Sequence, residues 1–371
     1  MCGGRGTRGW GRRRRSIVVA ACDNMARLLL WGIAKIACWG GEGSAFRARR
    51  RGNERGALFN ELTIAYLFLG GTGGGTLAVL CSVSLWEAFR PSVRRVHFSR
   101  QYGQIAWGAC LLILVLAVLC LLFDMGVPGR ALGFLLPQTF TVTILGSWAL
   151  LISLALGAIF WIVSVFDGIA IWRGVAIALE ILGIVVGLTV TLYTGALLQQ
   201  MVSVLAWQTP LVPLLFCLSS LSCGLAVAAG MVGFVPARAH FMQTIEVLLR
   251  ADWLVIVLEL VLLAVYVGWL FSSTATAHFA LAITVGYESL LFWGFLVGCG
   301  LVVPLFVERS VTYSNHRTQL LFVALCVLAG GLALRLVVVG LFPLDVTQAA
   351  DAVFRAADSA ASAVAPGIAG G

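Results

Sequence analysis

Eight apolar segments, each long enough to cross a lipid bilayer as a helix, follow one another after residue 57 of this 371-residue chain. A helix needs about 20 apolar residues to cross the hydrocarbon core. The segments lie at about 62–85, 104–123, 139–164, 173–198, 211–235, 253–272, 287–307 and 319–342. Charged residues make up 11% of the chain, whereas a soluble domain has about 25%. Backbone groups in lipid must pair within their own helix, and the alternating pattern of barrel strands is absent. The sequence therefore predicts an all-α integral membrane protein with eight transmembrane helices, packed as two four-helix bundles.

Composition divides the chain into three regions. Residues 1–57 carry 13 Lys or Arg against 3 Asp or Glu, residues 58–342 form the membrane domain, and residues 343–371 form an Ala-rich tail. We expect the first four helices within 58–200 and the last four within 201–342. The basic region has two interpretations: a native extension, or a product of translation begun upstream of a natural start at Leu58. Because the positive excess lies there and the hydrophobic body is nearly neutral, the charge does not indicate nucleic-acid binding.

The basic residues of the loops orient the membrane domain, because cytoplasmic loops carry an excess of Lys and Arg. The odd-numbered loops of this domain are the basic ones, and the even-numbered loops carry little positive charge. The basic residues of the odd loops include Arg90, Arg94, Arg95, Arg100, Arg238, Arg250, Arg309 and Arg317. We expect the odd loops in the cytoplasm, and both residue 58 and the C-terminus on the extracytoplasmic side. The expected location is the cytoplasmic (inner) membrane of a prokaryote, as a multi-pass protein.

Cysteine and histidine residues do not form a metal or haem pattern in this sequence. The ten cysteines are scattered and no C-x-x-C occurs, so an iron–sulfur or zinc site is not indicated. The four histidines lie near loops or span ends, whereas a membrane b-type haem needs two axial histidines within spans. We expect no haem and no metal in this chain.

Five motifs run through the membrane domain in order. They are the Y-L-F-L-G-G opening at 66–71, the D-x-G-x-P loop at 124–128, the Y-T-G-x-L-L end of span four at 193–198, the W-x-T-P-L-x-P-L-L-F run at 207–216, and Arg335 in the last span. This ordered set resembles the NrfD / polysulfide-reductase membrane-subunit family. The Asn/His pair that binds quinone in some members has no clear match here.

The resemblance implies a membrane anchor that binds a quinone, expected to be menaquinone, near the outer face. Such a subunit exchanges electrons between the membrane quinone pool and a four-cluster, ferredoxin-like iron–sulfur subunit. Through that subunit it serves a molybdenum-type catalytic subunit, so this chain would take part only in the quinol half-reaction of an oxidoreductase. Membrane lipid is the other expected partner.

Ionisable residues within spans are candidates for function, because they are costly in lipid unless they are paired. A helix rise of 1.5 Å per residue places polar groups from five spans at one outer level. The quinone-binding candidates are Glu61, Tyr66, Asp124, Tyr193 and Arg335, and Glu288 at the same level is a candidate for proton transfer. Glu61 is the first choice for the base that accepts a quinol proton, and Asp124 is the second. The structural alternative pairs Arg335 with one carboxylate and makes Tyr193 an interfacial belt residue.

Two further acids lie deeper, at a level where no Lys or Arg is expected. Glu180 in span four and Glu259 in span six each lie about 10 Å from the cytoplasmic end of their predicted helices. An unpaired carboxylate there should be protonated at rest. These acids either relay protons between the cytoplasm and the outer site, or are neutral acids hydrogen-bonded to neighbouring helices.

Five glycines lie within positions 70–75 of the first span, although each costs a helix up to about 1 kcal/mol. In a membrane such glycines allow another helix, or a flat ligand, to approach the backbone closely. We expect Gly70, Gly71 and Gly74 to be helix-packing residues. A phosphate-binding loop is excluded because no strand precedes the glycines and no Lys follows them.

Two classes of function compete. The first is the quinone-binding subunit, and the sequence leaves open whether it also moves protons. The second is a secondary transporter of a small solute or ion, but transporters tend to contain two related halves with broken helices at the midplane, and the two halves here show no convincing repeat. A membrane hydrolase is a third and weaker hypothesis, because the spans contain no His/Glu metal pattern and no Ser/His pair.

Overall fold

The computed structural model describes residues 61–89, 100–124, 142–166, 172–200, 205–234, 241–272, 276–286, 289–308 and 316–340. The basic region 1–57, most loop residues and the Ala-rich tail lie outside the described residues. The proposed boundaries of these regions therefore remain predictions.

Nine helices make up the described part of the chain. They are α1 Glu61–Ala88, α2 Arg100–Asp124, α3 Val142–Val165, α4 Arg173–Gln199, α5 Leu211–Val232, α6 Phe241–Phe271, α7 Ala277–Thr284, α8 Leu290–Glu308 and α9 His316–Gly340. A short 3₁₀ turn lies at Leu205–Trp207, and most of α8, Leu290–Val302, is π-helical before its α-helical end. Eight of the helices, all but α7, are long and apolar enough to cross a membrane, and the described ranges contain no strand. The prediction of an all-α protein with eight spans is confirmed.

The largest difference from the predicted spans is at the start of α6. The helix begins at Phe241, whereas the apolar run predicted a start at 253. Glu246 and Arg250 form an exposed ion pair one turn apart, with 2.5 Å between Oε1 and Nη2. Such i,i+4 pairs stabilise a helix without making it apolar, so the first turns of α6 escape a search for hydrophobic runs. As a result, Asp252 lies inside the helix.

The spans form two four-helix bundles that share a seam. In the first bundle α1 packs against α2 and α4, and α3 lies between α2 and α4. In the second bundle α5 packs against α6 and α9, and α8 contacts both α9 and α6. The seam is formed by α1 and α5, with α4 also packing on α5.

Burial separates three central helices, α1, α5 and α9, from the other five spans. The apolar stretches of α1, α5 and α9 are 78%, 72% and 67% buried, whereas those of the other five spans are 28–33% buried. These other five helices therefore present most of their apolar surface to the outside of the bundle, as expected for contact with lipid.

Glycines bring α1 and α5 into direct backbone contact. A Cβ atom at Gly75 would overlap the carbonyl oxygen of Ser220, and a Cβ at Gly224 would overlap the backbone of Gly75. Larger residues at either position would force the helices apart. By contrast, a Cβ at Gly268 of α6 would meet no atom of the described residues within 4 Å.

Alternating helix directions bring the start of α1, the end of α4, the start of α5 and the end of α9 to one end of the molecule, called here the outer end. The end of α1 and the starts of α4, α6 and α9 lie at the opposite, inner end. The loop charges predict that the inner end faces the cytoplasm.

Candidate functional site

Arg335 of α9 lies at the junction of the two bundles. It is fully buried, and its guanidinium group contacts α1, α5 and its own helix. Nε donates to the carbonyl oxygen of Leu67 at 3.2 Å, and Nη1 donates to that of Gly331 at 2.7 Å. Nη2 donates to the hydroxyl of Ser220 at 2.7 Å, and Nη1 lies 3.5 Å from the hydroxyl of Ser219.

Two aromatic rings complete this environment. The guanidinium carbon lies 5.5 Å from the ring centre of Phe68 and 5.3 Å from that of Phe216. A cation over an aromatic face is stabilised by about 2 kcal/mol when both are desolvated. The partners described for Arg335 are thus neutral oxygens and aromatic faces. Among the described residues Arg335 forms no direct ion pair with a carboxylate, but Glu259 of α6 acts on it electrostatically across the shared contact with Ser219.

Tyr66 and Tyr193 meet inside the first bundle, near the outer end. Tyr66 belongs to α1 and Tyr193 to α4, both rings are buried, and their hydroxyl oxygens are 3.2 Å apart. The ring of Tyr193 occupies space that a side chain at Gly146 of α3 would fill. The structure therefore brings together two of the predicted quinone-binding residues, and one of them, Tyr66, lies on the helix that also supplies Leu67 and Phe68 to Arg335.

Three other predicted residues cannot be placed in the same way. Glu61 is the first residue of α1 and Asp124 is the last residue of α2, so both backbones are described but their side chains are not. Glu288 lies outside the described residues. Their assignment to the outer level remains a prediction.

The three predicted packing glycines of α1 have different surroundings. A Cβ at Gly71 would lie 2.5 Å from the Ser220 hydroxyl and 2.7 Å from Nη2 of Arg335, so the absence of a side chain makes room for the guanidinium group. A Cβ at Gly74 would lie 3.0 Å from the carbonyl oxygen of Gly187 in α4. At Gly70 the nearest atom is an ordinary 3.6 Å away, on the ring of Tyr66. A side chain at Gly71 or Gly74 would therefore require the neighbouring helices or side chains to shift.

Glu180 lies at the inner end of the first bundle. It is buried in α4, and its Oε1 accepts a hydrogen bond of 2.5 Å from the hydroxyl of Ser84 in α1. This is the arrangement expected of an acid held by a neighbouring helix. Its other oxygen is buried and has no hydrogen-bond partner among the described residues.

Glu259 occupies a different position from the predicted one. Because α6 begins at Phe241, Glu259 lies near the middle of its helix and not close to the cytoplasmic end. Its carboxyl group contacts the hydroxyl of Ser219, which also lies 3.5 Å from Nη1 of Arg335. The expectation that no Arg lies near its level is therefore wrong: a helix that passes on the far side of α5 supplies one.

Sequence reasoning missed a second acidic group at the inner end. Asp252 of α6 and Glu308, the last residue of α8, are both buried and their carboxyl groups interact directly. The hydroxyl of Ser222 in α5 donates to Oδ1 of Asp252 at 2.9 Å. Both acids border apolar runs in the sequence, so composition alone assigns them to loops. In the sequence, the four-residue spacing of Glu246 and Arg250 was the pattern that could have indicated an earlier start of α6.

Comparison with known sequences identifies the family. The profile described as "Polysulphide reductase, NrfD" matches residues 52–341, which is most of the protein. The protein belongs to the NrfD family. One subunit of the polysulfide reductase of Wolinella succinogenes is 34% identical over 163 residues, covering 42% of this protein and 51% of that subunit. The aligned region thus spans about half the length of this relative.

Several motif residues of this NrfD-family protein connect its helices. Trp207 is fully buried, and its Nε1 donates to the carbonyl oxygen of Val338 at 2.9 Å, which fastens the turn before α5 to the end of α9. A Cβ at Gly195 would lie 2.5 Å from the Cα atom of Pro213, so the end of α4 and the start of α5 pack backbone to backbone. These contacts hold the outer end of the seam, where Arg335 lies.

Proposed function

We propose that this protein is the quinone-binding membrane subunit of a multi-subunit oxidoreductase. Membership of the NrfD family supports a membrane subunit, and the relative in Wolinella succinogenes is named as one part of a polysulfide reductase. The observation that carries the proposal is the set of hydroxyl and guanidinium groups that α1, α4, α5 and α9 bring to the outer end.

The chemistry of these groups fits a neutral ligand with two oxygen atoms. The hydroxyls of Tyr66 and Tyr193 donate or accept hydrogen bonds and carry no charge. Arg335 is held by carbonyl and serine oxygens, and it supplies positive potential near the outer end. A bound quinone would supply two-electron, two-proton redox chemistry at this end.

The residues of this protein would hold the ligand and accept its protons. We propose that Tyr66 and Tyr193 orient one oxygen of the ligand and that Glu61, at the start of α1, accepts a proton from the other. Asp124 is the alternative base. The electrons would leave to an iron–sulfur partner at the outer end, which would serve a molybdenum-type catalytic subunit.

Quinol-dependent turnover of the assembled complex tests this assignment. A base must lie within hydrogen-bond reach of the proton that it takes, and losing one slows turnover by about 10²-fold or more. We expect Glu61→Gln to assemble normally and to show that loss. Glu246→Gln is the matched control, because Glu246 is exposed and paired with Arg250 at the other end of the molecule. Normal turnover of Glu61→Gln moves the role to Asp124, and normal turnover of Asp124→Asn as well removes the outer site from the proposal.

Binding to the isolated subunit separates this function from a transporter. We expect the purified subunit to bind a menaquinol analogue in a fluorescence-quenching titration, and to bind it more weakly after Tyr193→Phe. Solute uptake by vesicles that contain only this subunit, without quinol binding, would favour the transporter.

A further inference from the structure

The second bundle buries two acidic side chains that face each other, Asp252 and Glu308. Asp252 and Glu308 expose 1% and 8% of their surfaces, and they come from two helices that meet at the inner end. The Ser222 hydroxyl caps one oxygen of Asp252. Apart from the Asp252 carboxyl group, no described residue offers a hydrogen-bond partner to either carboxylate oxygen of Glu308, and both oxygens are inaccessible to solvent.

No positive charge among the described residues balances this pair. Arg250, two residues before Asp252, is exposed and bound to Glu246. Among the described residues, the other titratable groups that act on Asp252 are Glu308 itself, Glu259 of α6 and Cys223 of α5. Arg335 contacts the Glu259 side of this group and not the pair.

Two carboxylates in contact and away from water cannot both ionise without a large electrostatic cost. One proton held between them lowers that cost, because one carboxyl group then donates to the other. A purely structural pair would be better replaced by apolar side chains of similar volume, since buried charged groups rarely add stability. The open oxygens of Glu308 are acceptors for a proton or for a proton donor.

We propose that Asp252 and Glu308, with Ser222, form a proton-binding site of the second bundle, in which the two carboxyl groups share one proton that exchanges with the inner end. No residue of this site belongs to the proposed quinone site at the outer end. The binding of the proton stands on the geometry of the pair alone, and only its coupling to quinol oxidation rests on the proposed function.

A line of polar groups leads from this site towards Arg335. Ser222 and Ser219 are three residues apart, so they share one face of α5. Ser219 contacts both Glu259 and Arg335. These polar groups therefore form a line across the second bundle from the inner end to the seam. Along this line they follow one another in the order Glu308, Asp252, Ser222, Ser219, Glu259 and Arg335.

Modification by dicyclohexylcarbodiimide, an apolar carbodiimide, tests the proton. A protonated carboxyl group adds across a C=N bond of the reagent, gives its proton to nitrogen and rearranges to a stable N-acylurea, whereas an ionised carboxylate in water reacts poorly. We expect peptide mapping of the full-length protein at neutral pH to find one adduct per protein molecule at this pair, on either Asp252 or Glu308. The adduct should be lost in the Asp252→Asn/Glu308→Gln double variant and kept in Glu246→Gln.

Each other result contradicts the proposal. Two adducts on one pair would show two neutral acids with no shared proton. The absence of an adduct at the pair would show that it holds no reactive proton. Protection by Na⁺ at constant ionic strength would assign the pair to a sodium ion instead.

A second measurement tests the coupling. We expect the complex with Glu308→Gln in vesicles to oxidise quinol at a rate close to that of the wild type, but to lose the turnover-linked pH change on the inner side. An unchanged pH signal would overturn the coupling. If Glu61→Gln and Tyr66→Phe both leave quinol turnover normal while the adduct at the pair remains, the quinone function fails and the proton site stands.

Discussion

The two bundles of this NrfD-family protein have similar helix packing but hold different chemistry at opposite ends. The first bundle buries a pair of phenol hydroxyls near the outer end and one acid, Glu180, bound by Ser84 near the inner end. The second bundle buries three acids, of which Asp252 and Glu308 face each other. Arg335 lies between the bundles and contacts groups of both.

This difference indicates that the two bundles have different functions. Neutral hydroxyls suit a neutral ligand, because they offer hydrogen bonds without the cost of burying a charge. Facing carboxyl groups suit a proton, because the proton removes their mutual repulsion. We therefore expect changes in the first bundle to affect quinol turnover, and changes in the second bundle to affect proton movement.

Separating the two bundles should have the largest effect. We expect Gly75→Val to abolish the yield of folded, monodisperse protein, because the added atoms would overlap the backbone at Ser220. Gly268→Val is the matched control, because a Cβ there would meet no atom of the described residues within 4 Å. Size-exclusion chromatography in detergent measures both. A folded Gly75→Val protein would mean that the seam is less tightly packed than described.

Removing the charge at the seam should have the next largest effect. Arg335→Met keeps much of the volume but leaves the hydroxyl of Ser220 without its charged donor, and a hydrogen bond to a charged group contributes about 1.5–3 kcal/mol. We expect a clearly lower melting temperature for the purified protein. Arg250→Met should change it little, since an exposed ion pair contributes about 0–1 kcal/mol. Equal melting temperatures for the two variants would remove Arg335 as the link between the bundles.

Loss of one phenol hydroxyl should affect turnover more moderately. We expect Tyr66→Phe and Tyr193→Phe each to slow quinol-dependent turnover about tenfold, the effect of losing roughly 1.4 kcal/mol of transition-state stabilisation. Tyr266→Phe is the control, because that hydroxyl is also buried but donates to the carbonyl oxygen of Ala206. Equal losses in all three variants would indicate a general packing defect and not a ligand site.

The smallest effect is expected at Glu180. Glutamine can still accept the hydrogen bond from Ser84, so Glu180→Gln should leave both quinol turnover and the vesicle pH signal within about twofold, below the 10²-fold or greater loss expected of a missing general base. A large loss of the pH signal in this variant would place a proton path in the first bundle too, and the contrast between the bundles would disappear.

Reporter fusions test the orientation on which the names of the two ends depend. The loop charges predict a cytoplasmic signal at residues 95, 238 and 313 and an extracytoplasmic signal at residues 205 and 280. The opposite pattern would leave the two sites at opposite ends but exchange the compartments that they face.

The sequence by itself determined the class of fold, because the length and composition of the apolar segments leave few other solutions in lipid. It also selected Tyr66, Tyr193, Arg335, Gly71 and Gly74 for attention, since polar residues and glycines are costly in a membrane helix and therefore conspicuous. These residues were recognisable one at a time.

Only the tertiary structure decided which residues meet. Asp252 and Glu308 lie at the borders of apolar runs, and nothing along the sequence shows that α6 and α8 bring them together. The expected isolation of Glu259 was wrong for the same reason, because Arg335 reaches the neighbouring Ser219 from another helix. The length of a helix follows from local composition, but contacts between helices depend on how their faces pack, and small residues such as Gly75 and Gly224 set that packing across the whole bundle.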